Sequence, residues 1–332
     1  MPIDSIHASS MPIDSIHANF NSFLDVFDEP VRKFLEDQVR TLGYDPHELL
    51  PVIKIAIEEA KKLVLKELKK VFLPLPILKG RIEEHAYTYI IGVLSQSKKW
   101  RSARDRIKSY RSVFLVGAGI SFESGMPLTK YLSDLLCFCE AKDYDELRRD
   151  MQKCLKFKLE FKKICDDKSV SESHKLIAQN FPEYILEIIC LNWDNLIEKA
   201  ARKLGKEIPK VNEDSPVTGE RYLWKFHGDV EKITKDNVKG KGGWVFPDEA
   251  GYVFNCFISY IERTGLKDKL FTFVIVGYSE REENIYKNII ERFEKVPPRP
   301  TYRIGLDLRN LKREDYIVGP ADFVLKKILP SA

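Results

Sequence analysis

Apolar positions in the first third of the chain recur at spacings of three and four. Ile53, Ile57, Ala60, Val64, Leu68 and Val71 form one stripe, with Glu58, Glu59, Lys61, Lys62 and Lys66 on the other side, the pattern of an amphipathic helix packed on one face. Leu73-Pro-Leu-Pro76 is expected to end it, and a second helix is predicted over roughly 82–95, carrying Ile82, Ala86, Tyr89, Ile90 and Val93. The helical pattern as a whole runs from about residue 29 to 110. Beyond it the period changes. Short apolar runs at Phe114–Val116, Tyr184–Leu191, Tyr222–Phe226, Phe271–Val276 and Tyr302–Leu306 read as strands, with helical patterns after most of them. Such alternation predicts an α/β fold: a Rossmann-like, doubly wound parallel sheet covered on both faces. Residues 128–179 read as helices without a strand, so a helical insertion is expected at about 130–178.

Three regions follow. Residues 1–19 carry Met-Pro-Ile-Asp-Ser-Ile-His-Ala twice, at 1–8 and 11–18; this is a short duplicated tail, expected to be disordered and outside the fold. Residues 20–110 form the helical region, and 111–332 the sheet domain. The basic run Lys98–Arg106 is either a solvated helix face or a docking surface for an acidic partner, and Lys232–Gly243 is predicted to be a mobile loop.

Composition narrows the classes. With 332 residues and 44% hydrophobic content the chain can bury a large core. Its 54 basic and 50 acidic residues give a net charge of only +4, which does not call for nucleic acid as a direct partner. No run reaches the ~18 to 20 apolar residues of a membrane span, and no signal peptide is evident, so a soluble, cytoplasmic protein is expected. The six cysteines, at 137, 139, 154, 165, 190 and 256, include no C-x-x-C pair; reduced thiols and no metal site are the expectation.

Candidate chemistry collects at strand ends. Phe114-Leu-Val-Gly-Ala-Gly-Ile-Ser121 is a strand running into a glycine turn, where Gly117 and Gly119 can bring the main chain close to a pyrophosphate and Gly119 and Ile120 can offer N–H groups to it. Asn192-Trp-Asp194 follows the second strand, His227-Gly228 the third and Gly277-Tyr-Ser279 the next. In a doubly wound sheet ligands bind outside the carboxyl ends of the strands, so these four segments are predicted to converge on one crevice. Asn192 can both donate and accept, His227 can act as a general base, and Asp194 either orients a hydroxyl or the Asn192 loop, or simply caps the following helix.

The order of these motifs resembles the sirtuin family, and more closely its divergent prokaryotic branch. Gly117-Ala-Gly-Ile-Ser121 with Ser124-Gly-Met-Pro127 is similar to the family's G-A-G-I-S and S-G-I-P loop. Leu191-Asn-Trp-Asp-Asn-Leu-Ile-Glu198 is similar to T-N-Y-D-x-L-I-E, Lys225-Phe-His-Gly228 to K-L-H-G, Gly277-Tyr-Ser279 with Glu283-Asn-Ile285 to G-Y-S and D-x-N-I, and Val318–Leu325 to the closing helix beside the adenine pocket. The likeness covers roughly residues 111–330 and implies NAD as ligand and substrate. It implies catalytic roles for His227, Asn192 and Asp194, and NAD contacts from Gly117, Ala118, Gly119, Ile120, Ser121, Gly277, Tyr278, Ser279 and Asp307, the last two towards the adenosine end. Two departures stand out. The zinc module of family deacylases is absent, with the helical insertion in its place, and Leu128-Thr-Lys130 stands where they have Asp-Phe-Arg.

Both departures point away from an acyl-lysine substrate. The resemblance therefore implies an NAD glycohydrolase of the type used in prokaryotic anti-phage defence, releasing nicotinamide and ADP-ribose. An NAD-dependent protein deacylase is the second reading, and a non-catalytic subunit that binds NAD or ADP-ribose the third. The amphipathic helices either pack on their own sheet or bury their face in an assembly. Partners implied by the resemblance are further copies of this chain, a translocating ATPase or an Argonaute-type protein.

Overall fold

The structure, a computed structural model, describes residues 24–68, 75–122, 124–126, 155–212, 217–233, 251–278, 285–295 and 299–330. The chain forms two compact units, Met1–Leu94 and Ser95–Ala332. In the first, helices α1 (Asp28–Thr41), α2 (Leu50–Leu68) and α3 (Leu75–Leu94) bury one stripe each: Val31, Leu35 and Val39; Ile53, Ala56, Ala60 and Val64; Ile82, Ala86, Ile90 and Val93. Ile53, Ile57, Ala60 and Val64 of the stripe read from the sequence are buried, Val71 and the start of the expected end, Leu73-Pro74, lie outside the described residues, and Lys61, expected on the polar side, is buried as well. Helix α3 starts well before residue 82, because Pro76 sits in its first turn, where a missing N–H breaks no helical bond. Lys61 is buried in this unit between Asp28 (2.5 Å), Asp25 (2.9 Å) and Glu58 (3.4 Å).

The second unit is an α/β domain built on a parallel sheet of seven strands. These are β1 (Ser112–Val116), β2 (Ile185–Cys190), β3 (Lys210–Val211), β4 (Leu223–Lys225), β5 (Thr272–Val276), β6 (Thr301–Gly305) and β7 (Tyr316–Val318), in the spatial order β3-β4-β2-β1-β5-β6-β7. Strands β1 and β5 are buried at every position, which explains their unbroken apolar runs: a central parallel strand has no solvent face. From β1 the chain builds outward through β2 to β4 and β3, then crosses back to β5 on the other side of β1. The order reverses between β1 and β5, and that gap is where a crevice opens in such sheets.

Around the sheet lie α4 (Ser97–Tyr110), a single turn α5 (Gly119–Phe122), α6 (Leu155–Asp167), α7 (Glu172–Asn180), α8 (Leu196–Lys203), α9 (Gly251–Arg263), α10 (Glu291–Lys295), preceded by a π-helical turn at Tyr286–Ile290, and α11 (Ala321–Ile328). One core cluster joins Trp224, Phe226, Phe257, Phe271, Phe273 and Phe293, with edge-to-face contacts such as Trp224–Phe257 at 5.0 Å and Phe271–Phe293 at 5.2 Å. Helices α6 and α7 account for the described part of the expected insertion. The duplicated tail, residues 128–130, Cys137, Cys139 and Cys154, most of the Lys232–Gly243 segment, and Ser279 to Asn284 fall outside the described residues.

The basic run in α4 does something the sequence did not specify. Lys99 donates to the carbonyls of Leu311 (2.7 Å), Arg313 (2.6 Å) and Tyr316 (3.0 Å), and Arg104 to that of Lys327. These two cations close main-chain acceptors at the ends of neighbouring elements. Gln96 adds a two-way bond with the main chain of Val318, 2.8 Å in each direction.

Candidate active site

The glycine turn after β1 packs against the turn after β5. Gly117 N–H donates to Val276 O (2.9 Å) and Gly119 N–H to Gly277 O (2.8 Å). A Cβ on Gly119 would lie 2.7 Å from Gly277 Cα, one on Gly117 2.6 Å from Gly277 O, and one on Gly277, whose φ is +66°, 2.5 Å from Ile120 N. The close approach that demands glycine here is therefore between two loops of the protein. The expected phosphate donors are already occupied, since Gly119 N–H is spent on Gly277 O and Ile120 N–H bonds Gly117 O at 3.2 Å. Ile120 itself is fully buried and Ala118 half-buried. A phosphate role for these two N–H groups would require the turn to open.

Ser121, in α5, turns its side chain towards the end of β2, where Asn192 begins the next loop. Asn192 Nδ2 donates to Ser121 Oγ (3.0 Å) and to Gly117 O (3.2 Å). A main-chain carbonyl can only accept, so this pair fixes the amide with nitrogen towards Gly117 and oxygen the other way. Among the described residues no donor meets Asn192 Oδ1, although it is buried. A buried bare acceptor is costly and marks where a ligand hydroxyl or a water fits.

Two residues further on, Asp194 Oδ1 accepts from Leu196 N–H at 3.1 Å. The carboxylate closes an i to i+2 turn just ahead of α8, whose N-cap position is Asn195. The Asp194 carbonyl accepts from Lys225 Nζ, a fully buried ammonium 3.6 Å from Glu198. Burial alone would lower the Lys225 pKa, but the groups around it, Cys190 first and then Glu198, Asp229 and Asp194, outweigh it and raise it. Glu198 is pushed up by burial, against the pull of Lys225. Lys210 completes the network at 2.5 Å from both Asp229 and Glu231 and 4.0 Å from Glu198.

His227 lies two residues after Lys225 and is buried, with its ring 6.1 Å from that of Trp193. Gly228 takes φ +93° to turn the chain here, and Val230 N–H donates to Trp193 O at 3.0 Å. The Asn192 loop and the His227 loop are thus held side by side. Tyr278 packs against the aromatic core cluster. Asp307 sits beyond β6 with its carboxylate forked onto Arg309, including Nη2 at 2.6 Å, and also accepts from Arg309 N–H at 3.0 Å. It starts a 3-10 turn, and none of its hydrogen bonds to Arg309 reaches the crevice.

Sequence reasoning missed one buried residue next to Ser121. His174, on α7, is fully buried and places Nε2 3.3 Å from Ser121 Oγ and Nδ1 2.7 Å from Ser171 Oγ. Burial lowers its pKa, with Asp194 and Asp322 pulling the other way and Lys225 adding to the depression. Ser171-Glu-Ser-His174 reads in sequence as nothing more than the start of a helix. A separate cleft of about 610 Å³, lined by residues including Phe181, Pro182, Ile208, Pro209 and Arg221, opens at the amino ends of β2, β3 and β4, the rim opposite the site.

No helix among the described residues is long and apolar enough to cross a membrane. No family model and no curated protein matches the sequence. Among solved structures, the chain is similar to a Sir2 homologue in complex with NAD, at 17% identity over 69% of this chain and 92% of that one, with a TM-score of 0.47. It is also similar to a structure described as a basis for the mechanism and regulation of Sir2 enzymes (19% identity, 70% and 95% covered, TM-score 0.45). A third similarity is to a mutant Sir2 homologue bound to ADP-ribose (16%, 69% and 95%, 0.45).

Proposed function

We propose that the chain binds NAD at the carboxyl rim of the sheet, beside the Asn192 and His227 loops that follow β2 and β4, and hydrolyses it to nicotinamide and ADP-ribose. The observation that carries this reading is the bare, buried Asn192 Oδ1, held beside the loop of His227 at the carboxyl rim of the sheet. In the reading, Asn192 receives a ribose hydroxyl or the attacking water. The nicotinamide–ribose bond breaks with its electron pair going to the nicotinamide nitrogen, which neutralises that ring and leaves an oxocarbenium-like ribose. Water adds to that carbon, and His227, as general base, removes its proton. Asp194 and Lys225 keep the two loops in register. The missing zinc ligands and the Leu128-Thr-Lys130 segment favour water over an acyl-lysine as acceptor. A role in defence, assembly with further copies and recruitment of a partner through the helical unit belong to the same proposal.

The test is incubation of the full chain with NAD, followed by separation of products. Nicotinamide release without acylated peptide is the expected result. His227→Ala should lower that release by at least about 100-fold while leaving thermal protection by NAD in place, because it removes the base and not the binding crevice. Strict dependence on an acylated peptide would replace hydrolysis by deacylation. Protection by NAD with no turnover, unchanged in His227→Ala, would leave a binding subunit.

A further inference from the structure

Four side chains link Asn192 to a carboxylate on another helix. Asn192 Nδ2 meets Ser121 Oγ at 3.0 Å, Ser121 Oγ meets His174 Nε2 at 3.3 Å, His174 Nδ1 meets Ser171 Oγ at 2.7 Å, and Ser171 Oγ meets Ser173 Oγ at 2.9 Å. Ser173 Oγ then meets Asp322 Oδ1, in the first turn of α11. Ser121, Ser171, Ser173, His174 and Asn192 are all buried. Asp322 also accepts the main-chain N–H of Ser173 (2.7 Å) and of Glu172 (3.4 Å), so it caps α7 from outside.

The direction of every hydrogen in this chain follows from its end. An ionised carboxylate can only accept, so Ser173 gives its hydrogen to Asp322. With that hydrogen spent, Ser173 Oγ must accept from Ser171, otherwise two lone pairs would face each other at 2.9 Å. Ser171 in turn must accept from His174, which places a hydrogen on Nδ1. The burial that depresses the His174 pKa keeps the ring neutral, so Nε2 is bare and accepts from Ser121. Ser121 Oγ is left to accept from Asn192, and the amide is turned with its oxygen away from the chain.

We infer that Asp322 is a positioning residue for the site: through Ser173, Ser171, His174 and Ser121 it leaves Ser121 Oγ an acceptor, which together with the Gly117 carbonyl holds the Asn192 Nδ2 hydrogens and so presents Oδ1 as a bare acceptor for a ligand hydroxyl. What the acceptor receives rests on the proposed function; the direction of the chain does not. With Ser173 removed, Ser171 is released to donate to His174 Nδ1, the ring moves its hydrogen to Nε2, and Ser121 no longer needs Asn192 as its donor.

The experiment is ring-nitrogen NMR of the full chain with labelled histidine, at a pH above about 7 where an ordinary histidine is neutral. The His174 signals are identified by their loss in His174→Gln. The wild-type protein should show His174 protonated on Nδ1. Ser173→Ala should shift the population towards Nε2–H, and Ser173→Thr, which keeps the hydroxyl, should restore it. Nicotinamide release should fall about tenfold in kcat in Ser173→Ala, with KM little changed, and recover in Ser173→Thr. Asp322→Ala cuts the same chain at its origin and replaces Ser173→Ala if that variant fails to fold. An Nε2–H ring in the wild type, or an Nδ1–H ring unmoved by the cut, overturns the inference. Absence of NAD turnover in a wild type that shows the Nδ1–H ring counts against the proposed function alone.

Discussion

Two buried polar networks meet at the Asn192–Asp194 loop, and they differ in kind. On the Asn192 side the members from Ser121 to Ser173 are neutral, joined at hydrogen-bond distances, and directed by a single carboxylate at the far end. On the Asp194 side Lys225, Glu198, Lys210 and Asp229 are ionisable side chains, and some of their separations, such as 3.6 Å and 4.0 Å, are ion-pair rather than hydrogen-bond distances. A neutral chain transmits orientation, because each hydroxyl or ring has one hydrogen to place. An ionic cluster transmits position, because Coulomb attraction is not directional and falls slowly with distance. The two together specify where the loop lies and which way its amide faces.

The sharpest way to break this contrast is Lys225→Met, which keeps the bulk of the side chain and removes its charge. Among the described residues Glu198 then keeps only Lys210, at 4.0 Å, and the Asp194 carbonyl loses the Lys225 donor. Breaking a buried pair from one side costs about 3–5 kcal/mol, so a large fall in denaturation midpoint is expected. Adding Glu198→Gln should recover part of it, and no recovery would mean that Lys225 acts by packing alone. The single cut Ser173→Ala in the neutral network should cost less stability than Lys225→Met, and the two midpoints measured together test the contrast directly.

Gly119→Val comes next. Its side chain would strike Gly277 Cα, so the variant should lose stability even in the absence of NAD, by about 1–3 kcal/mol for a forced main-chain shift. A fully stable Gly119→Val that merely failed to bind NAD would show that the turn faces the ligand and not the β5 loop.

The smallest effects are in pH dependence, where two buried groups have opposite signs. His174 has a depressed folded pKa, so below its ordinary value of 6.5 the unfolded chain binds more protons than the folded one; its contribution is present above that value and lost as pH falls. Protonation would also put hydrogens on both ring nitrogens and reverse the bond to Ser121. Glu187, in β2, accepts from Tyr222 N–H (3.0 Å), Trp224 Nε1 (2.8 Å) and Tyr260 Oη (2.5 Å). Burial, only partly offset by those three bonds, raises its pKa from 4.5 to about 7. The folded chain keeps that proton where the unfolded chain has released it, so this contribution is full below 4.5 and is lost as pH rises through about 7. Glu187→Gln should therefore flatten the fall of thermal midpoint between about pH 5 and 8. An unchanged slope would exclude Glu187 as its source.

Local sequence determined the central strands, because a parallel strand buried on both faces must be apolar throughout, and β1 and β5 are. It determined the α2 stripe for the same reason, at the helical period. It also marked the Gly117 turn, the Asn192 loop and the His227 loop as strand-end segments of one sheet. Tertiary structure decided the rest. Edge strands β3 and β7, two and three residues long, are too short to carry a period and exist only through their neighbours. The need for glycine at 117 and 119 comes from Gly277, far along the chain, which no local pattern could supply. The direction of the Asn192 amide is set by the Gly117 carbonyl and by Ser121, which a bond path through His174 joins to Asp322, residues that only folding brings within hydrogen-bond reach.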